Sequence, residues 1–371
     1  MSGAQAPGVV RDTVGVARMR RPRITPARVL TWSAVGFLLL LCVLAPVIFT
    51  SYWLSQILTK ALWLGIAAVS LIFLSRYGGM ISLAQVGLYA IAGFTMANLG
   101  GAFGGHHLGW NPWVAAGAGV AAATLFGLLF GAIAARSYGI YFLMITLALS
   151  VIVFYFFGQA TSFSGYGGIR NVATPDLVGN PIIHPEALYY VSLVASILIL
   201  MGIRYLARTP FGLALQGIRD DPARMRALGY NVSLHRTLAF GVGAFIAGIA
   251  GILSVWYQTQ ISPGGVDIGQ TINVLVIAVI GGLYWLEGAW IGALLFTVLD
   301  NYSRTWLPTV GLWLGPERFE TLLGVIFLLI VLLSPGGLVG IWNGLRRRLV
   351  RALGPRGTTQ QSPVGDPDAL G

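Results

Sequence analysis

Long apolar runs, each close to the 20 residues that a helix needs to cross a roughly 30 Å hydrocarbon core, constrain this chain more than any other feature. They lie at roughly 29–49, 53–75, 79–99, 112–134, 138–158, 188–206, 237–257 and 319–341. Lipid offers no partner for a backbone N–H or C=O, so runs of this length predict helices. Two shorter runs, 272–286 and 288–300, are separated by Glu287 and broken by Gly281–Gly282. They predict either two short or tilted spans or one re-entrant pair. The expected fold is an all-α polytopic membrane protein of about 8–10 transmembrane helices. Only 9% of the 371 residues are charged, which leaves little material for a soluble domain.

The charges that do occur are placed unevenly. Arg11, Arg18, Arg20, Arg21, Arg23 and Arg28 precede the first run. That run is too long for a secretory signal and closes on no small-x-small cleavage pattern, so it predicts an uncleaved first span. With the N-terminus in the cytoplasm, Arg76, Arg136, the 204–236 segment and the tail arginines Arg346, Arg347, Arg348, Arg351 and Arg356 share that side. Arg170, Arg304 and Arg318 fall opposite. This is the positive-inside asymmetry, and it predicts cytoplasmic N- and C-termini. It also accounts for the net charge of +11 without a nucleic-acid partner. Three regions follow: a basic tail at 1–28, a membrane domain at 29–341 containing a cytoplasmic loop at 208–236, and a basic, then disordered, tail at 342–371.

The 208–236 loop is the longest polar interruption. Each arginine in it would cost about 2.5–3.5 kcal/mol at bilayer depth, so it belongs in water. Asp221 suits an N-cap, Pro222 the first helical position and Gly229 a left-handed stop after Leu228. The predicted helix has about two turns, too few to persist in water unaided. It is either a solvated loop packed on its own membrane ends or a docking element for another subunit. Met225 and Leu228, one turn apart, would supply an apolar face, and Arg219, Arg224 and Arg226 would suit acidic partners.

Residues for catalysis are sparse, and the expected role is not enzymatic. The single lysine, Lys60, sits in an apolar run without a glycine-rich loop before it, so no Walker A phosphate site exists. His106, His107, His184 and His235 show no metal-ligand spacing, there is no G-x-S-x-G elbow, and the lone Cys42 has no disulfide partner within the chain. Neither a cofactor nor a metal is expected. Lys60 is expected to snorkel toward the outer interface and Asp300 to lie at an interface. Ser82, Gln85 and Tyr89 follow helical spacing in the third run, as do Thr146 and Ser150 in the fifth. They either line a path for a small polar solute or bond neighbouring helices together. The small-residue pairs Gly127/Gly131, Ala244/Gly248, Ala247/Gly251 and Gly288/Gly292 permit close helix crossings.

Several stretches, in one order along roughly 55–345, resemble the M-type permease subunit of branched-chain amino acid ABC importers. These are YGGMISLAQVGLYAIAGF at 77–94, GIYFLMITLA at 139–148, SGYGGIRNV at 164–172, FGLALQGIRDDPARMRALGYNV at 211–232, LVIAVIGGLYWLEGAWIGALL at 275–295 and SPGGLVGI at 334–341. The resemblance implies half of a translocation pore in a prokaryotic plasma membrane. It also implies a second permease subunit, two cytoplasmic ATPases that use the ATP, and an extracytoplasmic solute-binding protein. The solute implied is a branched-chain or other hydrophobic amino acid, although the wider superfamily also carries sugars, nucleosides and short amides. A coupling helix then falls at Asp220–Gly229, with Arg219, Asp220, Asp221, Pro222, Ala223, Arg224, Met225, Arg226, Leu228 and Gly229 at the ATPase. The rival class is a self-sufficient secondary transporter or channel, which commonly uses carboxylates within its spans.

Overall fold

The computed structural model describes residues 44–46, 48–100, 108–163, 165–179, 181, 184–306 and 324–325. The tails at 1–28 and 342–371, Cys42, His106, His107, most of the predicted first span at 29–49 and nearly all of the span at 319–341 lie outside these residues. The chain divides after Ile48, and the unit that follows contains every element described below.

Helix α1 runs Ser51–Gly78, and its second turn, Leu54–Thr59, is π-helical. Gly79 ends it in the left-handed region at φ 63°, a conformation that glycine adopts without steric penalty. Helices α2 (Gln85–Leu99), α3 (Pro112–Ala134), α4 (Ile140–Gln159) and α5 (Pro185–Leu206) follow. Two shorter helices, α6 (Pro210–Asp220) and α7 (Pro222–Ala227), precede α8 (Val232–Gln258). The chain then forms α9 (Ile268–Gly281) and α10 (Gly288–Trp306). A two-residue antiparallel ladder joins β1 (Ile169–Arg170) to β2 (Gln260–Ile261). Six of the helical segments are long and apolar enough to cross a membrane, so this is a multi-pass helical membrane protein.

Helices α1 and α8 form the centre. In their most apolar windows 83% and 78% of residues are buried, against 28% in α3 and in α4, which turn broad apolar faces outward. Small residues let α3 approach α8 closely. Gly119, Ala123, Gly127 and Gly131 recur every four residues on the buried face of α3. A methyl group added at Gly127 would overlap the Cβ of Ala244, and one at Gly131 would meet the Cβ of Phe240 at 2.8 Å. Backbone proximity of this kind supplies the dispersion contacts that hold helices together in lipid, where burial against lipid tails gains nothing.

Several expectations change. The predicted third span, 79–99, is helical only from Gln85, because Gly79 stops α1 and residues 79–84 cross the interior without helical pairing. Side chains replace the missing helical partners there. Leu83 N–H donates to Thr146 Oγ1 at 3.1 Å, and Ala84 N–H to Ser82 Oγ at 3.2 Å. Ser82 therefore lies on the break and shares no helical face with Gln85 and Tyr89. The pair at 272–300 forms two antiparallel helices running along α1. Trp285, in the turn between them, lies 5.8 Å from the Arg76 guanidinium near the C-terminal end of α1, while Asp300 meets Lys60 far up the same helix.

Most of the described arginines gather at one end of the bundle, whereas Arg170 lies in β1 beside Gln260, past the far end of α8. Arg219 donates to the carbonyl of Arg76, Arg204 pairs with Glu287 of the α9–α10 turn, and Arg236 bonds the carbonyls of Ala135 and Ser137 at the α3–α4 junction. Arg236 does not lie in a solvated loop. Asn231 caps α8 by accepting from Leu234 N–H at 3.0 Å, which starts the helix early and puts Arg236 in its second turn, 6% exposed.

Candidate functional site

At the arginine-rich end the 208–236 segment folds into two helices where one was expected. Thr209 caps α6, accepting from Gly212 N–H at 3.3 Å, and Pro210 occupies the first turn. Gly212, Ala214, Leu215 and Ile218 then form a buried stripe at helical spacing. Leu215 lies over Gly78 at the end of α1, and the Arg219 stem covers Gly79. A long helical span thus holds α6, and α6 in turn supports α7.

Asp221 joins the two. Its backbone is extended, at φ −152° and ψ 94°, and its carboxylate accepts from the N–H groups of Ala223 and Arg224, both at 3.0 Å. The Arg224 N–H, then the Ala223 N–H and the Arg224 charge, hold this carboxyl below its ordinary range. Pro222 follows at the first helical position. The helix closes with a Schellman pair, Tyr230 N–H to Met225 O at 3.1 Å and Gly229 N–H to Arg226 O at 3.0 Å, with Gly229 at φ 86°.

The predicted coupling residues do not all face one way. Arg219 folds back, pairing with Asp220 at 2.7 Å and bonding α1, so it clamps the segment to the bundle. Met225 packs its thioether against Gly217 of α6. The expected Met225–Leu228 face is therefore split, because Met225 holds α7 to α6 while Leu228 is 66% exposed. Ala223, Arg224 and Arg226 are exposed beside it, with Arg224 Nε 3.6 Å from Asp221 Oδ2. The outward surface of α7 is one leucine among arginines on a fixed support.

The four residues suggested for a solute path are all buried. Three lie together: Gln85 Nε2 donates to Ser82 Oγ at 3.4 Å, and Thr146 of α4 receives the Leu83 N–H at 3.1 Å. Gln85 Oε1 accepts no hydrogen bond. Tyr89 stands apart, donating to Ser254 of α8, whose Oγ also accepts from Gln258 Nε2 at 2.9 Å. These bonds tie α2 to α4 and α8 across the break at 79–84.

One ionic contact was not foreseen. Lys60 Nζ lies 2.6 Å from Asp300 Oδ2, the two side chains being 28% and 11% exposed. Lys60 is thus paired within the bundle and does not reach out alone toward an interface. The residues stand 240 positions apart, and no local pattern links them. The pair follows directly on the π-helical turn of α1, an irregularity frequent at functional sites. Among the described residues no three His, Cys, Asp or Glu side chains converge as metal ligands.

Comparison with known proteins gives one consistent result. Residues 53–332 match the family model described as branched-chain amino acid transport system / permease component. The high-affinity branched-chain amino acid transport system permease proteins LivM of Salmonella typhimurium and of Escherichia coli K12 are each 28% identical to this chain over 285 residues, covering 70% of it and 64% of the relative. The probable branched-chain amino acid transport permease protein LivH of Methanocaldococcus jannaschii is 27% identical over 167 residues, 44% of this chain and 52% of that protein. The chain thus spans less than two thirds of the length of the LivM relatives it matches. No solved structure matches.

Proposed function

The chain belongs to the family of permease components of branched-chain amino acid transport systems, and from that premise we propose that it is the membrane subunit of an ATP-driven importer for branched-chain or other hydrophobic amino acids. It forms half of the translocation pore in a prokaryotic plasma membrane, beside a second permease subunit. Two cytoplasmic ATPases bind its arginine-rich end, and an extracytoplasmic binding protein delivers solute to the other. ATP is bound and used by the partners.

The observation that carries this reading is α7. A six-residue helix capped at both ends and fixed through α6 to α1, with Leu228 left outward, is built to pass a push from outside the membrane into the bundle. An isolated helix of this length has no stability of its own. Leu228 and the arginines around it fit an apolar notch with an acidic rim. The test is Leu228→Asp in the reconstituted complex. Solute-stimulated ATP hydrolysis and uptake fall together while membrane insertion is unchanged. Met225 is left intact, because its contact with Gly217 holds α7 in place. Full coupling in a normally inserted Leu228→Asp complex would return α7 to a passive loop.

A secondary carrier is the competing reading, and Asp300 is the residue that favours it, as an acidic group inside the bundle. Its 2.6 Å contact with Lys60 favours a structural ion pair between α1 and α10.

A further inference from the structure

Among the described residues, nothing acidic answers the charge of Arg236. It is 6% exposed, and among the described residues its partners are two backbone carbonyls, Ala135 O at 3.3 Å and Ser137 O at 3.1 Å, and the face of Tyr138, 4.1 Å from the guanidinium carbon. Its Nε–H is buried with no acceptor. A buried cation satisfied only by neutral dipoles keeps much of its desolvation cost, which an anion would relieve.

A cavity of about 110 Å³ opens beside it. Its walls are the break after α1 at Gly79 and Ile81, the start of α4 at Gly139 and Phe142, and Arg236 itself. Helix α4 is 20 residues long, and its N-cap, Gly139, has no side chain to accept from the first-turn N–H groups. The positive end of a long helix and the Arg236 side chain thus border one space. Exposed Gly139 gives that space a way out at the arginine-rich end. On its inner side, Thr146 lies one turn above Phe142 and bonds Leu83 in the cluster containing Ser82 and Gln85.

We propose that Arg236 and the N-terminus of α4 form a binding site for a small monocarboxylate, the α-carboxylate of the solute being the physiological source and a free organic acid the other. The lining supports this class. A single cation balances one negative charge, so a dianion such as phosphate would retain excess charge. Ile81 and Phe142 suit a short hydrocarbon body, and the volume admits a carboxylate head while a longer side chain stays outside. The identity of the ligand rests on the transport reading; the presence of a carboxylate site does not.

The test is equilibrium binding to the full chain in lipid nanodiscs without ATPase, using radiolabelled isovalerate as the probe. Saturable isovalerate binding displaced by leucine, but not by isoamylamine or inorganic phosphate, is expected. Displacement by isovalerate analogues but not by leucine would show a free organic acid as the source; it would keep the site and fail its link to the solute. Arg236→Met should weaken binding by about tenfold or more, as expected for loss of a charge-assisted hydrogen bond. Because that variant also loses the α3–α4 clamp, Ile81→Trp provides a second arm: it fills the cavity, leaves Arg236 and its carbonyl bonds in place, and should abolish binding in a monodisperse protein. Isovalerate binding unchanged in either variant, or no saturable binding by the unmodified chain, overturns the site. Saturable binding in a complex that shows no ATP-driven uptake would keep the site and fail the transport reading.

Discussion

Replacing Lys60 with methionine should destabilise the bundle out of proportion to the volume changed. At the observed 2.6 Å, Coulomb's law with an effective dielectric near 20 gives an attraction of roughly 6 kcal/mol. Most of that is offset by the cost of removing both charges from water. What the single substitution removes is the Lys60 charge from beside a carboxyl that is only 11% exposed. Breaking a fully buried pair from one side costs about 3–5 kcal/mol, and the 28% exposure of Lys60 makes about 3 kcal/mol the upper bound in this case. Lys60→Met/Asp300→Leu removes both charges and should recover most of the loss, giving a coupling of about 2 kcal/mol or more in a double-mutant cycle. The assay is equilibrium unfolding of the full chain in mixed detergent micelles with increasing dodecyl sulfate. Single variants as stable as the parent, or a double variant no better than the worse single, would refute the view that this contact is a desolvated pair.

Three further outcomes follow from the geometry. Gly127→Ala forces a methyl into the Cβ of Ala244 and should cost about 1–3 kcal/mol, recovered in part by Ala244→Gly, as read by the same unfolding assay. The Asp221 carboxyl is held below its ordinary range, so its capping is fully present above the unfolded carboxylate value of about 3.9 and lost as pH falls through the folded value. Amide-exchange protection in α7 should therefore hold from neutral pH into mild acid and fall at all these pH values in Asp221→Ala. Protection equal to the parent's in that variant would contradict the capping role. Cysteine at exposed Ser233, in a Cys42→Ser background, should react with an impermeant maleimide only in inside-out vesicles, and labelling of intact cells would invert the topology.

What could be read from the chain depended on whether the deciding interaction was local. The apolar lengths of α3, α4 and α5 predicted those helices closely, because the demand of lipid for internal backbone pairing outweighs other preferences. The α7 caps were legible for the same local reason, since Asp221, Pro222 and Gly229 act within one turn. Helix α6 was legible and overlooked: Thr209–Pro210 is a start signal, and Ala214, Leu215 and Ile218 carry the period. The break at 79–84 was masked by its apolar composition, although Gly78–Gly79 marks where α1 can stop. Lys60–Asp300 and the surroundings of Arg236 arise from packing between distant helices, and no spacing rule reaches them. The direction of Met225 likewise depends on Gly217 of another helix.

The most direct measurement is leucine uptake into proteoliposomes containing this chain, its second permease and both ATPases, with ATP inside or outside and the binding protein on the solute side. Accumulation should require ATP on the ATPase side together with the binding protein, and collapsing ion gradients should leave it unchanged. Uptake by this chain alone, driven by a proton or sodium gradient without ATP, would contradict the account.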